Sequence, residues 1–160
     1  MPLLTISLQS YANKFLLELL MFKPQQLKDI ERILRIFLMS LLAMTAAYKF
    51  IMGGDHIVQW YAPKFANNPY GLTLDIISPF IHSIAFIETA IILMLLSNKT
   101  RIIALYSYVV LLIALMFGHF ALSEFHEVNG LFDYLLAGLL LYILPTHPHL
   151  LWREKDTEAA

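Results

Sequence analysis

Lys49, His82, Glu88, His119 and Asp133 are ionisable side chains set in, or at the ends of, long apolar runs, and Glu124, His126 and Glu127 follow just beyond one such run. Charge is expensive in hydrocarbon, so each of these residues is a functional candidate by position alone. Glu88 is the most costly. It is a candidate proton acceptor, or an anchor for a polar head group. The alternative is a protonated or hydrogen-bonded carboxylate that fixes helix packing, with Tyr106 or Tyr108 as its partner. Burial disfavours the charged form of a carboxyl group.

His82 and His119 belong to neighbouring apolar runs at similar depths. Two imidazoles so placed can ligate a metal or a haem iron axially between helices, or hydrogen-bond a quinone carbonyl. Otherwise they are two satisfied polar residues near the water boundary. Neither has a second His at i+3 or i+4, so a compact two-His helical metal site is absent. The segment from His119 to Glu127 is ligand-rich. In one continuous helix, His119 and His126 would share a face but stand about 10.5 Å apart, too far for one ion. A metal there would need His126 with Glu127 or Glu124, completed by loop residues such as Asp55 or His56. The plain alternative is a solvated polar turn. Lys49 either snorkels to the interface or pairs with Asp133 or Glu127, tying the outer ends of the first and fourth runs. His147 and His149 flank Pro148 and carry no site.

The elements that must position these groups follow from composition. Of 160 residues, 59% are hydrophobic and 14% charged, against about 25% charged in a soluble domain. Mean hydropathy is +0.66. About 20 apolar residues cross the roughly 30 Å hydrocarbon core, and four stretches come close: Ile33–Met52, Leu74–Leu96, Ile102–Leu122 and Val128–Leu144. Lipid offers the backbone no partners, which favours helices. Short connections such as Ser97–Thr100 force antiparallel neighbours. The expected fold is all-α: an integral membrane four-helix up-down bundle over residues 31–145. An amphipathic N-terminal segment, residues 1–30, precedes it, with a helix from about Thr5 to Phe22 lying in the interface; a fifth span is the alternative. A polar tail, residues 146–160, follows Pro145, which stops the last helix. Loop Gly53–Thr73, carrying Pro63 and Pro69, is expected to fold back as an outer cap. Rise per residue puts His82 about 12 Å below the outer end of the second helix and Glu88 about 9 Å deeper.

Basic residues set the expected orientation. Lys14, Lys23, Lys28, Arg32 and Arg35 precede the first span, Lys99 and Arg101 separate the second from the third, and Arg153 and Lys155 follow the fourth. Only Lys49 and Lys64 fall on the other side. Both termini are therefore expected in the cytoplasm of a bacterial-type inner membrane. Trp60, Tyr61 and Tyr70 suit the outer aromatic belt and Trp152 the inner one. Asn13, Lys14 and Glu18 interrupt the first apolar stretch, so no cleavable signal peptide is expected. A net charge of −1 gives no reason to expect nucleic acid. The chain has no cysteine, which excludes disulfides, thiolate metal sites and thiol redox chemistry within it.

Arg35, Lys49-Phe50, Ile57, Pro63, Asn68-Pro69, Ile87-Glu88 and Thr100-Arg101 together form a pattern that resembles the DoxX-like superfamily of small four-helix membrane proteins. Within it, the chain is most similar to the YkgB-type family of inner-membrane proteins. The resemblance covers about Arg32 to Leu144. It departs where glycines common in that superfamily are Ala46, Ala47, Thr89 and Ala90, and where Ser97-Asn98 replaces the usual Gly before Thr-Arg. It implies a role in membrane redox or oxidative-stress physiology. Its members include a quinone-linked thiosulfate-oxidising subunit and proteins associated with reactive-oxidant resistance.

Three readings follow. The first is a redox-associated membrane subunit binding a quinone or haem in the outer half of the bundle through His82, Glu88 and His119. The second is a non-enzymatic accessory subunit of a larger membrane complex or a homo-oligomer, its polar residues locking helices; the lack of a recognised catalytic motif favours it. The third is a small proton-coupled transporter or oligomeric channel with Glu88 as relay, for which broken-helix signals are missing.

Overall fold

The computed structural model describes residues 23–66, 70–71 and 73–146. The expected interfacial helix and all but the first residue of the polar tail lie outside them. Among the described residues there are five helices: α1 (Pro24–Met52), α2 (Gly54–Phe65), α3 (Leu74–Leu95), α4 (Arg101–Ala121) and α5 (Phe125–Ile143). Leu34–Ile143 forms one compact unit. The polar clusters and the cavity all belong to Leu34–Ile143.

Three helices, α1, α3 and α4, are long and apolar enough to cross a membrane, which suggests a membrane protein. Helix α5 has 19 residues but opens on His126, Glu127, Asn129 and Asp133, so its apolar stretch is confined to the C-terminal half. Helix α1 starts well before Ile33, where the apolar run starts. Pro24 occupies the first helical position, where a missing N–H costs nothing. The Lys23 N–H donates to the Gln26 side-chain oxygen at 2.9 Å, half of a capping box. Hydropathy marks what a helix buries, whereas caps mark where it begins.

Gly53, at φ 79°, ends α1 at a positive φ that glycine adopts without steric cost. The segment after Gly53 then forms a helix of its own, α2, although Pro63 lies within it. Helix α2 packs on α3, with Phe65 against Ile77 and Ile81 and with Ile57, Val58 and Tyr61 alongside. Helix α3 packs on α4 and α4 on α5. Helix α1 meets α3 through Phe50 and Phe86, whose rings stand edge to face at 5.2 Å.

The buried positions of α3 (Ile77, Ile81, Ile84, Ala85, Glu88, Ile91 and Leu95) and of α4 (Arg101, Ala104, Leu105, Tyr108, Leu111 and Leu112) recur at helical spacing. Each helix thus turns one stripe inward. The opposite stripes, including Phe86, Leu93, Ile103, Val110, Ile113 and Phe117, are apolar too, and exposed. An exposed apolar face of this extent suits lipid or another protein. Small residues let the helices approach: Gly138 of α5 lies against the Tyr108 ring of α4.

The turns are closed by side chains. Thr100 donates to the Met94 carbonyl at 2.7 Å and seals the end of α3. Arg35 of α1 donates to the Asn98 side chain at 2.7 Å, and Arg101 donates to the Leu141 carbonyl of α5. Both arginines are buried. Basic residues that the charge pattern reads as orientation signals therefore also clasp helices. Between α4 and α5 the chain reverses tightly at Ser123, φ 59°, and the Glu124 N–H returns to the His119 carbonyl at 2.9 Å.

Candidate functional site

Helix α1 brings Lys49, near its C-terminus, alongside Glu88, two thirds of the way down α3. The ammonium lies 2.7 Å from one Glu88 carboxylate oxygen and 2.9 Å from the other. Glu88 is 3% exposed. A buried carboxylate with a cation this close is an ion pair and not a lone acid, and mutual attraction offsets much of the desolvation of both groups. Lys49 also reaches the Thr45 carbonyl at 3.4 Å. The expected partners differ: Lys49 meets neither Asp133 nor Glu127, because its neighbour at this level is α3. The tyrosines expected to hold Glu88 are elsewhere. Tyr108 donates to the Tyr134 carbonyl at 3.1 Å, and Tyr106 is exposed beside Tyr142.

A second cluster joins α2, α4 and the start of α5. Lys64 donates to one Glu124 oxygen at 2.6 Å, and His119 Nδ1 lies 2.8 Å from the other. The Lys64 ammonium sits 4.1 Å from the centre of the Trp60 ring and 5.1 Å from that of Tyr61, a cation–π arrangement. Burial works against the Glu124 charge, but hydrogen bonds and charge from Lys64 and His119 outweigh it and hold the carboxyl below its ordinary range. Glu124 is therefore an anion, and the proton in its contact with the ring belongs to His119 Nδ1. Burial and the charges of Glu124 and Glu127 push the Tyr61 phenol up.

His82 stands apart from both. Its Nδ1 donates to the Ser78 carbonyl at 2.7 Å, and its Nε2 lies 2.9 Å from Asp55. The Asp55 side chain is 91% exposed, so this is a surface pair of small energetic weight. Its effect is positional, holding the first turn of α2 against α3, where a Cβ on Gly54 would fall on the imidazole.

A cavity of about 640 Å³ connects the first two clusters. Glu88, Lys49 and Tyr108 line it, as do Trp60, Tyr61 and His119, and aliphatic residues such as Ile81, Ile84, Leu111 and Leu112 make most of the rest of its wall. A concave apolar space with a few converging polar groups is the usual form of a small-molecule site. Of the three residues expected at a cofactor, the structure brings Glu88 and His119 to one cavity and leaves His82 outside its wall. A haem held between His82 and His119 does not fit this arrangement.

The expected metal ligands are not assembled. Among the described residues no group of three or more His, Asp or Glu side chains is arranged to hold a metal ion. Glu124 has both oxygens engaged, while His126 and Glu127 are exposed on the first turn of α5. The continuous helix from His119 to His126 does not exist, because α4 stops at Ala121. Asp133 is exposed as well.

The sequence pattern does not single out Lys64, or Trp60 and Tyr61 as its platform, for chemistry. The signal was there: Trp60 and Tyr61 precede Lys64 by four and three residues, which is one helix face. Pro63 and Pro69 argue for a loop and mask it. No family model, no characterised protein and no solved structure matches the chain.

Proposed function

We propose that the chain is a four-span inner-membrane protein with cytoplasmic termini, a redox-associated subunit of the DoxX-like type, which binds a quinone in the cavity between Glu88 and His119. The three long apolar helices support membrane insertion. Helix α5 serves as the fourth span, its polar first turns lying at the outer boundary. Nine of the eleven basic residues on one side support the orientation.

The observation that carries the ligand class is the cavity. It is largely apolar, it is large enough for a ring with part of an isoprenoid tail, and its polar groups converge from several helices. A quinone supplies the redox chemistry when bound. This chain's own residues hold and orient the ring, exclude water, and keep a histidine whose tautomer Glu124 sets.

An ultraviolet–visible spectrum of the protein purified in mild detergent, with mass spectrometry of extracted small molecules, tests the reading. The expected result is stoichiometric quinone without a Soret band, weakened in His119→Ala and unchanged in His82→Ala. Lipid alone would overturn it. That outcome favours the second reading, an accessory subunit whose buried charges lock helices, which draws support from Lys49–Glu88 and Arg101–Leu141.

A further inference from the structure

Hydrogen-bond accounting at the cavity wall specifies more than a ligand class. A lysine ammonium carries three N–H donors and accepts nothing. At Lys49 these donors have three acceptors, the two Glu88 oxygens and the Thr45 carbonyl. The Thr45 hydroxyl donates to the Leu42 carbonyl at 3.0 Å, and the Tyr108 hydroxyl donates to Tyr134. The His119 Nδ1–H is given to Glu124. The donors of this part of the wall are committed to the protein.

The acceptors are not. An ionised carboxylate offers about four lone-pair sites, of which Lys49 occupies two. In the neutral imidazole, a proton on Nδ1 leaves the lone pair on Nε2. Both residues line the cavity. On α2 the ring faces of Trp60 and Tyr61 carry Lys64, and the Trp60 indole keeps its N–H donor. Tyrosine hydroxyls and the exposed imidazole of His56 donate and accept alike, and so do not discriminate between ligands.

We infer that the cavity takes its ligand in the reduced, hydroxyl-bearing form: a hydroquinone whose O–H groups donate to Glu88 and to His119 Nε2. This rests on the quinone reading of the cavity and adds to it the oxidation state that binds. An oxidised ring has only carbonyl oxygens, which accept. Set against Glu88 they would place acceptor against acceptor in an apolar space, where the mismatch is felt most strongly. The reduced ring supplies donors to the two acceptors that Glu88 and His119 present there.

The test is equilibrium dialysis of the full chain in lipid nanodiscs against three probes: a short-chain benzohydroquinone kept reduced, its benzoquinone, and the dimethyl ether of the hydroquinone. Empty nanodiscs correct for partitioning into lipid. The hydroquinone is expected to bind roughly tenfold or more tighter than either of the others, because a buried acceptor left unmet is penalised. In His119→Phe the preference shrinks while hydroquinone binding persists. Equal or tighter binding of the benzoquinone overturns the inference and leaves the quinone site standing. Binding of no probe above the empty nanodiscs overturns both.

Discussion

Lys49 closes on Glu88 with both carboxylate oxygens within 2.9 Å of one ammonium, and this pair ties α1 to α3 with the carboxylate buried. Removing one partner of a buried pair leaves a charge without compensation, which costs about 3–5 kcal/mol. Replacing both with apolar side chains removes the desolvation penalty together with the attraction.

Lys49→Met and Glu88→Leu are therefore each expected to destabilise the protein by about 3–5 kcal/mol, while the double replacement costs much less than their sum. Thermal unfolding of the four proteins in one detergent measures this cycle. Additive losses would show that the pair is not coupled.

Gly138 is expected to resist substitution. A Cβ there would lie 2.7 Å from a Tyr108 ring carbon, and that ring is 1% exposed. Gly138→Ala should cost about 1–3 kcal/mol through overpacking. Gly130, on the same helix, faces open space, with nothing within 4 Å of where a methyl group would stand. Gly130→Ala should be neutral, or stabilise by up to about 1 kcal/mol through helix propensity. Melting temperatures of the two variants separate close approach from a general intolerance of α5.

The Lys64–Glu124–His119 cluster predicts a pH dependence with a definite sign. The Glu124 carboxyl is held below its ordinary value of 4.5 in the fold. Between its folded and unfolded values the unfolded chain binds more protons, so stability rises with pH across that window. The contribution is fully present above 4.5 and is lost as pH falls through the folded value. In acid unfolding followed by circular dichroism, Glu124→Gln should flatten this part of the profile. An unchanged profile would remove Glu124 from the account.

Orientation is open to direct measurement because the chain has no cysteine. A single cysteine at Ala66, exposed just after α2, should react with a membrane-impermeant maleimide in intact cells. One at Lys99 should react only after permeabilisation. The reverse pattern would invert the proposed topology.

Four of the five helices are legible in the sequence to within a few residues at most ends, since a run of apolar residues near 20 has few other uses. Helix α2 was not legible, because two prolines and a glycine spoke for a loop; packing of Phe65 on Ile77 and Ile81 overrode them. The early start of α1 escapes a hydropathy reading because its first turns are polar and signalled by capping.

Which residues carry charge in an apolar setting was decided by the sequence alone, and Glu88, Lys49 and His119 stand out there for a physical reason, the cost of placing them. Which of them meet was decided by the tertiary structure. Helix neighbours and relative heights depend on how stripes pack, and a short polar turn at Ser123 or a glycine at 53 shifts every later side chain. That is why Lys49 finds Glu88 and not Asp133, why His119 finds Glu124 and not His82, and why a cavity lies between the two pairs.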